Sequence, residues 1–213
     1  MKIELEQVKP MEIEEKSFEI ITRELGDTPL VPGTELIVKR CIHTSADFDY
    51  AKNLCFSEDA VSRAIKALKD GACIVTDTQM AKAGINKRAL ERLGGEVYCF
   101  MSDEDVAAAA KEKGTTRAAA SMDKAAALEK NLIFAIGNAP TALVRLYELI
   151  QEKKLSPKLI IGAPVGFVNV IPSKELIMET DIPYIVARGR KGGSNIAACI
   201  CNALLYMIDN NRD

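Results

Sequence analysis

The stretch Leu132-Ile133-Phe134-Ala135-Ile136-Gly137-Asn138-Ala139-Pro140 joins a buried strand to the start of a helix. Its first five residues are apolar without a break, which is typical of a strand covered on both faces. Asn138 is a residue type that caps helices, and Pro140 suits the first helical turn. Apolar residues then recur at the spacing of a helix that buries one face: Leu143, Leu146, Tyr147 and Ile150. The stretch therefore predicts a strand–helix unit of an α/β protein.

The same alternation continues on both sides of this unit. Five further apolar runs are predicted as strands: Glu35–Ile42, Ala72–Thr76, Glu96–Phe100, Lys158–Ile161 and Pro183–Ala187. The helix patterns include Pro10–Leu25, Glu58–Lys69 and Ser194–Ile208. Because strands separated by helices need crossover connections, this order favours a mostly parallel, doubly wound sheet. No linker or repeat interrupts the pattern, so residues 1–213 are expected to form a single domain.

The composition narrows the class of function. The 213 residues carry 28 Lys and Arg against 30 Asp and Glu, and Trp is absent. This balance excludes a polybasic nucleic-acid surface over the protein as a whole and leaves room for a local basic pocket, and the few aromatic residues argue against stacking platforms for single strands. No signal peptide is visible and no apolar run is long enough to cross a bilayer. We therefore expect a cytoplasmic protein with no membrane partner.

The six cysteines predict neither a metal site nor disulfides. They are Cys41, Cys55, Cys73, Cys99, Cys199 and Cys201, and no C-x-x-C pair occurs among them. Most lie in apolar segments, where a free thiol behaves as a small buried hydrophobe. We therefore expect reduced cysteines and no metal bound by protein ligands.

The segments that follow the predicted strands carry the polar, Gly-rich and cationic residues. They are residues 43–45, 77–79, 102–103, 137–138, 162–166 and 188–195. In a parallel sheet such segments gather at one edge, where these folds place their ligands. His43, the only histidine of the chain, belongs to this set. Since imidazole donates and accepts protons near neutral pH, His43 is the candidate for acid–base chemistry, although a histidine judged by location alone is more often incidental.

Two glycine-rich loops at this edge are candidate ligand sites. The segment Arg188–Asn195 sets three cations and three glycines between a strand and a helix, an arrangement typical of an anion cradle. The alternative is a flexible basic loop in which Ser194 simply caps the helix. The second loop, Gly162–Asn169, would let a flat ligand approach the backbone closely, or it is a plain connection without a ligand.

Two arginines and two acids complete the candidate site. Arg117 begins a helix, where a cation opposes the helix dipole, and this indicates an anionic partner for it. Arg40 lies three positions before His43, nominally on the opposite face of the predicted strand, and could hold a carboxylate bidentately. Asp47 and Asp49 could orient the imidazole, but capping or solvation is the commoner role of such acids.

Three motifs in combination resemble the precorrin-8X methylmutases, a family of cobalamin (vitamin B12) biosynthesis. They are Arg40-x-Ile42-His43-x-x-x-Asp47, Gly162-Ala163-Pro164-Val165-Gly166-Phe167-x-Asn169 and Arg188-Gly189-x-Lys191-Gly192-Gly193-Ser194, and the resemblance spans almost the whole chain. It implies a three-layer αβα sandwich and an isomerase that acts on a corrinoid. In that reaction a methyl group moves from position eleven to position twelve of the macrocycle in a 1,5-sigmatropic shift. The product is hydrogenobyrinate or, with cobalt, cobyrinate.

The resemblance also implies roles for individual residues. His43 matches the histidine that protonates the tetrapyrrole, and Ser17 and Arg40 match positions that contact the substrate. The carboxylates of a corrinoid suit charge-assisted hydrogen bonds from cationic and glycine-rich segments. The further substrate-binding candidates are Arg117, Gly166, Asn169, Arg188, Lys191 and Ser194.

A sigmatropic shift needs neither a nucleophile nor a redox cofactor, so the resemblance implies no cofactor and places any cobalt within the substrate. It further implies a homodimer with active sites near the subunit interface. The presence of six reduced cysteines slightly favours the cobalt-containing substrate over the metal-free one. Two other functions share these motifs: a tetrapyrrole carrier without turnover, and a nucleotide-binding α/β enzyme, which would lack the usual glycine fingerprints.

Overall fold

The computed structural model describes residue 9 and residues 12–209, in which helices and strands alternate. The strands are β1 Leu54–Phe56, β2 Cys73–Thr76, β3 Val97–Tyr98, β4 Leu132–Ile136, β5 Leu159–Gly162 and β6 Tyr184–Ala187. The helices are α1 Ile13–Leu25, α2 Glu35–Ser45, α3 Tyr50–Asn53, α4 Ala60–Lys69, α5 Gln79–Gly84, α6 Lys87–Arg92, α7 Glu104–Glu112, α8 Arg117–Ala126, α9 Pro140–Gln151, α10 Val170–Met178 and α11 Ser194–Ile208. Pro10, where the first helix was predicted to begin, lies outside the described residues.

The strands form one sheet in the order β1-β6-β5-β4-β2-β3. Neighbouring strands are parallel except β1, which pairs antiparallel with β6 at the edge. The chain moves outward from β2 to β3 and then crosses back through β4, β5 and β6, so the direction of winding reverses between β2 and β4. The prediction of a mostly parallel, doubly wound sheet is confirmed.

Helices cover both faces of the sheet. One apolar core lies between the sheet and α1, α2, α4, α6 and α11, and the other between the sheet and α7, α8, α9 and α10. Strand β4 contributes to both: Ile133 and Ala135 pack on one side, and Leu132, Phe134 and Ile136 on the other. The three-layer αβα sandwich is therefore confirmed, and it holds the carboxyl ends of the parallel strands at one edge.

The predicted strand Glu35–Ile42 is wrong, because these residues belong to helix α2. The buried residues of α2 recur one helical turn apart along a single face: Ile37, Val38, Cys41 and Ile42. The apolar run before Lys39 looks like a strand locally, but the spacing over the whole segment follows the period of a helix. Consequently Arg40 and His43, three positions apart, are neighbours on a helix surface instead of lying on opposite faces of a strand.

Two smaller features also differ from expectation. Strand β1 has only three residues and was not predicted, and α9 is preceded by Ala139 as its capping residue instead of Asn138. The remaining predicted strands and the final helix agree with the structure to within two residues at each end. Among the described residues, no helix is both long enough and apolar enough to cross a bilayer.

Candidate active site

His43 lies in the last turn of α2, and helix packing brings it to the loop edge of the sheet. Helix α2 runs antiparallel to α11: Thr44, near the end of α2, donates a hydrogen bond to Cys199, near the start of α11. Farther back, the guanidinium of Arg40 lies 4.7 Å from the ring centroid of Tyr206, toward the end of α11. The end of α2 is therefore next to the beginning of α11, which starts at the carboxyl edge of the sheet. His43 was expected to reach this edge at the end of a strand, whereas the structure brings it there by the packing of α2 against α11.

The imidazole of His43 is exposed, and one of its faces is covered by Phe18 of α1. The two ring centroids are 5.6 Å apart and the rings are inclined by 28°. No group in the described part of the chain hydrogen-bonds to the ring nitrogens. Ser17, the residue before Phe18, donates its hydroxyl to the carbonyl oxygen of Ile13. Stacking thus fixes the plane of the imidazole while its nitrogens remain accessible to a ligand.

Arg40 is enclosed by α1 and α11. Its Nη2 donates to Oε1 of Glu14 at 2.6 Å, and its guanidinium carbon lies 5.5 Å from the ring centroid of Phe18. The side chain is 12% exposed, and its Nε is buried with no hydrogen-bond partner among the residues that the structure describes. In this arrangement Arg40 braces the helix that carries Phe18, and its carboxylate contact is made within the protein.

Two cysteine thiols, Cys41 and Cys199, lie between α2 and α11. The hydrogen bond between Cys199 and Cys41, assisted by the hydroxyl of Thr44 and the charge of Arg40, lowers the pKa of Cys199 although burial acts against it. The same bond, together with burial, raises the pKa of Cys41 well above its ordinary value. Cys199 is therefore the thiol of this pair with the greater thiolate character.

Lys191 connects the cationic loop to the segment that follows α2. Its Nζ lies 2.6 Å from Oδ2 of Asp47 and 2.6 Å from Oδ2 of Asp49. The hydrogen bond from the ammonium group lowers the pKa of Asp47, and the two carboxylates raise the pKa of Lys191. The acids considered as partners for the imidazole thus hold the loop against the His43 helix.

The two glycine-rich loops pack directly on one another. The amide of Gly193 donates to the carbonyl oxygen of Ala163 at 2.8 Å, and the amide of Gly166 donates to that of Arg190 at 3.1 Å. Gly192 has a φ of 157°, and a Cβ at this position would come within 2.1 Å of the Ala163 oxygen. The loops therefore form one surface, which depends on the absence of a side chain at Gly192.

The two arginines of the cationic loop have different surroundings. Arg188 donates from Nε and Nη2 to the two carboxylate oxygens of Glu175, at 2.9 and 3.2 Å. Its fork, predicted to bind an anion, is thus occupied by an internal carboxylate. Arg190 is exposed, and its guanidinium lies 5.4 Å from the ring centroid of Phe167. Within the described ranges Arg190 has no carboxylate partner, which makes it a stronger anion-binding candidate than Arg188.

The Gly162–Asn169 loop presents apolar side chains to solvent. Phe167 is 83% exposed and Val168 is 80% exposed. Asn169, also exposed, adopts a left-handed φ of 57° and directs the chain into α10 without a side-chain capping bond. Exposed apolar side chains grouped beside cations mark a contact surface, and here they suit a flat ligand with acidic groups at its rim.

Ser194 lies near the point where the winding of the sheet reverses. Its hydroxyl shares a hydrogen bond with that of Thr78 at 2.8 Å and does not cap α11. Beside it, the buried carboxylate of Asp77 accepts hydrogen bonds from the amides of residues 137–139 at 2.6 to 2.8 Å. Burial raises the pKa of Asp77 despite these bonds. These contacts fix the start of α11 and the start of α9 at the same edge.

Arg117 is the first residue of α8 and is exposed. The hydroxyl of the preceding residue, Thr116, shares a hydrogen bond with that of Thr141 at 2.9 Å, which places the start of α8 beside the start of α9. In the described part of the chain no contact joins Arg117 to His43 or to the glycine-rich loops. The structure therefore leaves Arg117 at the loop edge but apart from the residues around His43.

Lys174 belongs to this region although no sequence motif singled it out. It is fully buried in α10, and its Nζ donates to the carbonyl oxygens of Gly189 and Lys191 at 2.7 and 2.9 Å. Burial lowers its pKa to about 8. The lysine lies among apolar helix residues, and only the folded structure shows what its ammonium group binds.

The fold and the site define an α/β enzyme in which one exposed imidazole lies beside a cationic and apolar loop surface. A family model described as precorrin-8X methylmutase matches residues 12–207, and the chain belongs to this family. It is accordingly an isomerase of cobalamin biosynthesis, a methylmutase of precorrin-8X or cobalt-precorrin-8. Over the residues described, no group of three or more His, Cys, Asp or Glu is arranged to hold a metal ion, and all six cysteines are free.

Relatives and a solved structure agree over almost the full chain. A cobalt-precorrin-8 methylmutase from Priestia megaterium is 46% identical over 203 residues, covering 95% of this chain and 90% of the relative. One of the same name from Salmonella typhimurium is 47% identical over 204 residues, covering 93% and 95%. The crystal structure of precorrin-8x methyl mutase from Thermus thermophilus superposes with a TM-score of 0.84 at 38% identity, covering 93% of this chain and 98% of that one.

Proposed function

We propose that this protein moves the methyl group of cobalt-precorrin-8 from position eleven to position twelve in a 1,5-sigmatropic shift that yields cobyrinate, with His43 as the proton donor. The observation that carries the proposal is the setting of His43, whose ring is held by Phe18 while its nitrogens are accessible. The methyl group stays on the macrocycle and no electrons leave it, so the reaction needs only positioning and one proton, which His43 donates to the macrocycle and takes back as the product forms.

The surface formed by the two glycine-rich loops positions the substrate. Arg190 is exposed on the loop that Lys191 ties to the segment after α2, and it is suited to a charge-assisted hydrogen bond with a peripheral carboxylate of the corrinoid. Phe167 and Val168 are suited to the apolar face of the macrocycle. The ion pairs of Lys191 with Asp47 and Asp49 hold this surface next to α2. Arg40 acts from beneath, by holding α1 and hence Phe18 against the imidazole. Ser17, whose hydroxyl bonds only within α1 among the described residues, is suited to turn towards the substrate.

The preference for the cobalt-containing substrate rests on the comparisons. The two relatives at 46% and 47% identity are named for cobalt-precorrin-8, whereas the Thermus protein at 38% identity is named for precorrin-8x. Cobalt enters as part of the substrate, and the protein supplies no ligand and no cofactor. The ratio of kcat/KM for the cobalt-containing and metal-free substrates, measured on one preparation, tests this preference, and a ratio below one contradicts it.

The proposal extends to assembly as a homodimer with active sites near the interface. The exposed apolar side chains of the Gly162–Asn169 loop support a contact surface near the site. Light scattering on the purified protein is expected to give twice the chain mass of 23.2 kDa. A monomeric mass with full activity would contradict the dimer without affecting the proposed reaction.

The decisive experiment replaces His43 by Ala and follows conversion of cobalt-precorrin-8 to cobyrinate by absorbance under anaerobic conditions. Turnover should fall by about 10²- to 10⁴-fold, the usual contribution of a general acid. Binding of cobyrinate should persist, because the loop surface is untouched. Glu35→Gln, at the exposed start of the same helix, serves as the control and should retain activity. Unchanged turnover in His43→Ala removes the proposed role, and wild-type protein that binds without converting the substrate is a carrier.

A further inference from the structure

Lys174 is an unusual residue to find fully buried. Its ammonium group lies inside the protein, and no carboxylate accepts a hydrogen bond from it among the residues described. A buried charge without an ionic partner costs stability unless its hydrogen-bond donors are used. The two acceptors that it does have are both main-chain carbonyls of the cationic loop, which connects β6 to α11.

These acceptors lie on either side of Arg190. The ammonium group holds the carbonyl oxygens of Gly189 and Lys191, and the carbonyl oxygen of Arg190 itself is held by the amide of Gly166. Three consecutive carbonyls of the loop are therefore fixed from inside the protein. This leaves the side chain of Arg190 on the outer surface, where its guanidinium lies beside the exposed ring of Phe167.

The same anchor sets the direction of Lys191. The carbonyl oxygen of Lys191 accepts a hydrogen bond from the buried ammonium group of Lys174, whereas the Nζ of Lys191 contacts Asp47 and Asp49, which follow α2 in the chain. Bonds between charged side chains at an exposed surface are weak on their own, because solvent screens them. The link between the loop and the His43 helix thus depends on a main chain that is already in place.

We propose that Lys174 is a positioning residue, whose ammonium group fixes the Gly189–Lys191 segment so that Arg190 meets a carboxylate of the substrate and Lys191 holds the loop against the His43 helix. The ligand named here rests on the proposed function, whereas the anchoring of the loop does not. Lys174 is remote from the reacting atoms and acts only through the loop.

This role has a kinetic signature. Without the ammonium group the loop samples other conformations, and only the anchored fraction binds substrate well, so the apparent affinity falls by that fraction. Once substrate is bound the loop is in place, and proton transfer from His43 proceeds as before. The change should therefore appear in KM and not in kcat.

The test compares Lys174→Met with wild type and with Lys158→Met, which replaces an exposed lysine just before β5. Methionine keeps the length of the side chain and removes its donors. Trypsin reports the state of the loop directly, because Arg188, Arg190 and Lys191 are all cleavage sites. Lys174→Met should be cleaved within this loop severalfold faster than the other two proteins. Its KM for cobalt-precorrin-8 should rise about tenfold with kcat within about twofold.

If Lys174→Met folds and shows wild-type cleavage in the loop and a wild-type KM, the proposal is overturned. It is also overturned if kcat falls and KM rises only in proportion to a general loss of thermal stability. If the methionine variant does not fold, Lys174→Gln, which retains one donor group without the charge, is read by the same assays. If wild-type protein does not convert cobalt-precorrin-8, the proposed function fails, and the cleavage comparison still decides whether Lys174 anchors the loop. Faster cleavage with an unchanged KM would show that Lys174 orders the loop but that this order does not affect substrate binding, and it would reject the positioning role.

Discussion

The helical half of the candidate site and its loop half are built by different interactions. Around His43 the contacts are between side chains: a ring stack with Phe18, the ion pair of Arg40, and a hydrogen bond to a thiol. In the glycine-rich loops the contacts are mostly main-chain hydrogen bonds, with Lys174 as the chief side chain that takes part. A region built from side chains loses its contacts one at a time, whereas a region built from main chain moves as a whole.

Among substitutions that leave His43 in place, the largest effect is therefore expected from a methyl group added to the loop main chain. In Gly192→Ala the new Cβ would lie 2.1 Å from the carbonyl oxygen of Ala163, so both loops must shift. We expect kcat/KM to fall about a hundredfold, as for a misplaced binding surface. The free energy of unfolding should fall by about 2–4 kcal/mol. Denaturant unfolding and steady-state kinetics measure the two effects.

Gly189→Ala is the matched control for this substitution. Gly189 has a φ of 83°, but a Cβ there would meet no atom within 4 Å. Its cost should be limited to backbone strain of about 1–2 kcal/mol. Equal loss of activity in both variants would show that strain, and not the contact between the loops, is responsible.

In the helical half, Phe18→Ala should have the next largest effect. The substitution removes the surface against which both His43 and Arg40 rest. Turnover should fall about tenfold because the imidazole loses its fixed plane. Stability should fall by about 1–2 kcal/mol for a half-buried aromatic side chain. Ile20→Ala, an exposed residue of the same helix, is the control, and an equal loss of turnover there would assign the effect to α1 in general.

A smaller effect is expected from Arg190→Gln, which removes a charge but leaves the loop main chain intact. KM should rise about fivefold, and the rise should shrink at high salt, since the contact is exposed and screened. Arg188→Gln should change KM less, because Glu175 already occupies that guanidinium. Titration of product binding at two salt concentrations measures both. A larger rise in KM for Arg188→Gln than for Arg190→Gln would show that Arg188, and not Arg190, binds the carboxylate of the substrate.

The smallest effect is expected from Thr44→Val, which removes one of the groups that lower the pKa of Cys199. Alkylation of Cys199 near neutral pH should slow severalfold because less of it is thiolate, while turnover changes little. Mass spectrometry of iodoacetamide-treated protein measures the rate, with Cys55 as the internal reference. Burial raises the pKa of Cys55, so it should react more slowly than Cys199 in both proteins. Equal rates at the two thiols would contradict the lowered pKa.

Sequence patterns predicted the sheet well and the His43 segment badly, for one physical reason. The strands β2, β4, β5 and β6 are buried on both faces, so each is an uninterrupted apolar run bounded by polar turns. The run Leu36-Ile37-Val38 has the same local appearance, but its continuation through Cys41 and Ile42 is helical in period. Tertiary packing against α11 decides between the two.

The candidate site was predictable where chemistry is concentrated in a motif. His43 and the glycine-rich loops stood out by residue type and spacing. The difference between Arg188 and Arg190 could not be predicted, because it depends on where Glu175 lies after folding. Lys174 could not be predicted either, since its partners are main-chain carbonyls, which have no signature in the sequence.

The pairing of α2 with α11, and of β1 with β6, has a consequence for how the chain matures. Both pairs join the first 56 residues of the chain to its last thirty. During synthesis, His43 leaves the ribosome long before the helix that must lie beside it exists, and until that helix emerges α2 lacks its packing against α11, although α1 and α3 can already lie against it. The candidate site is thus the last part of the molecule to be completed, and a chain that stops just short of α11 would have all six described strands but no helix to hold α2 at the loop edge.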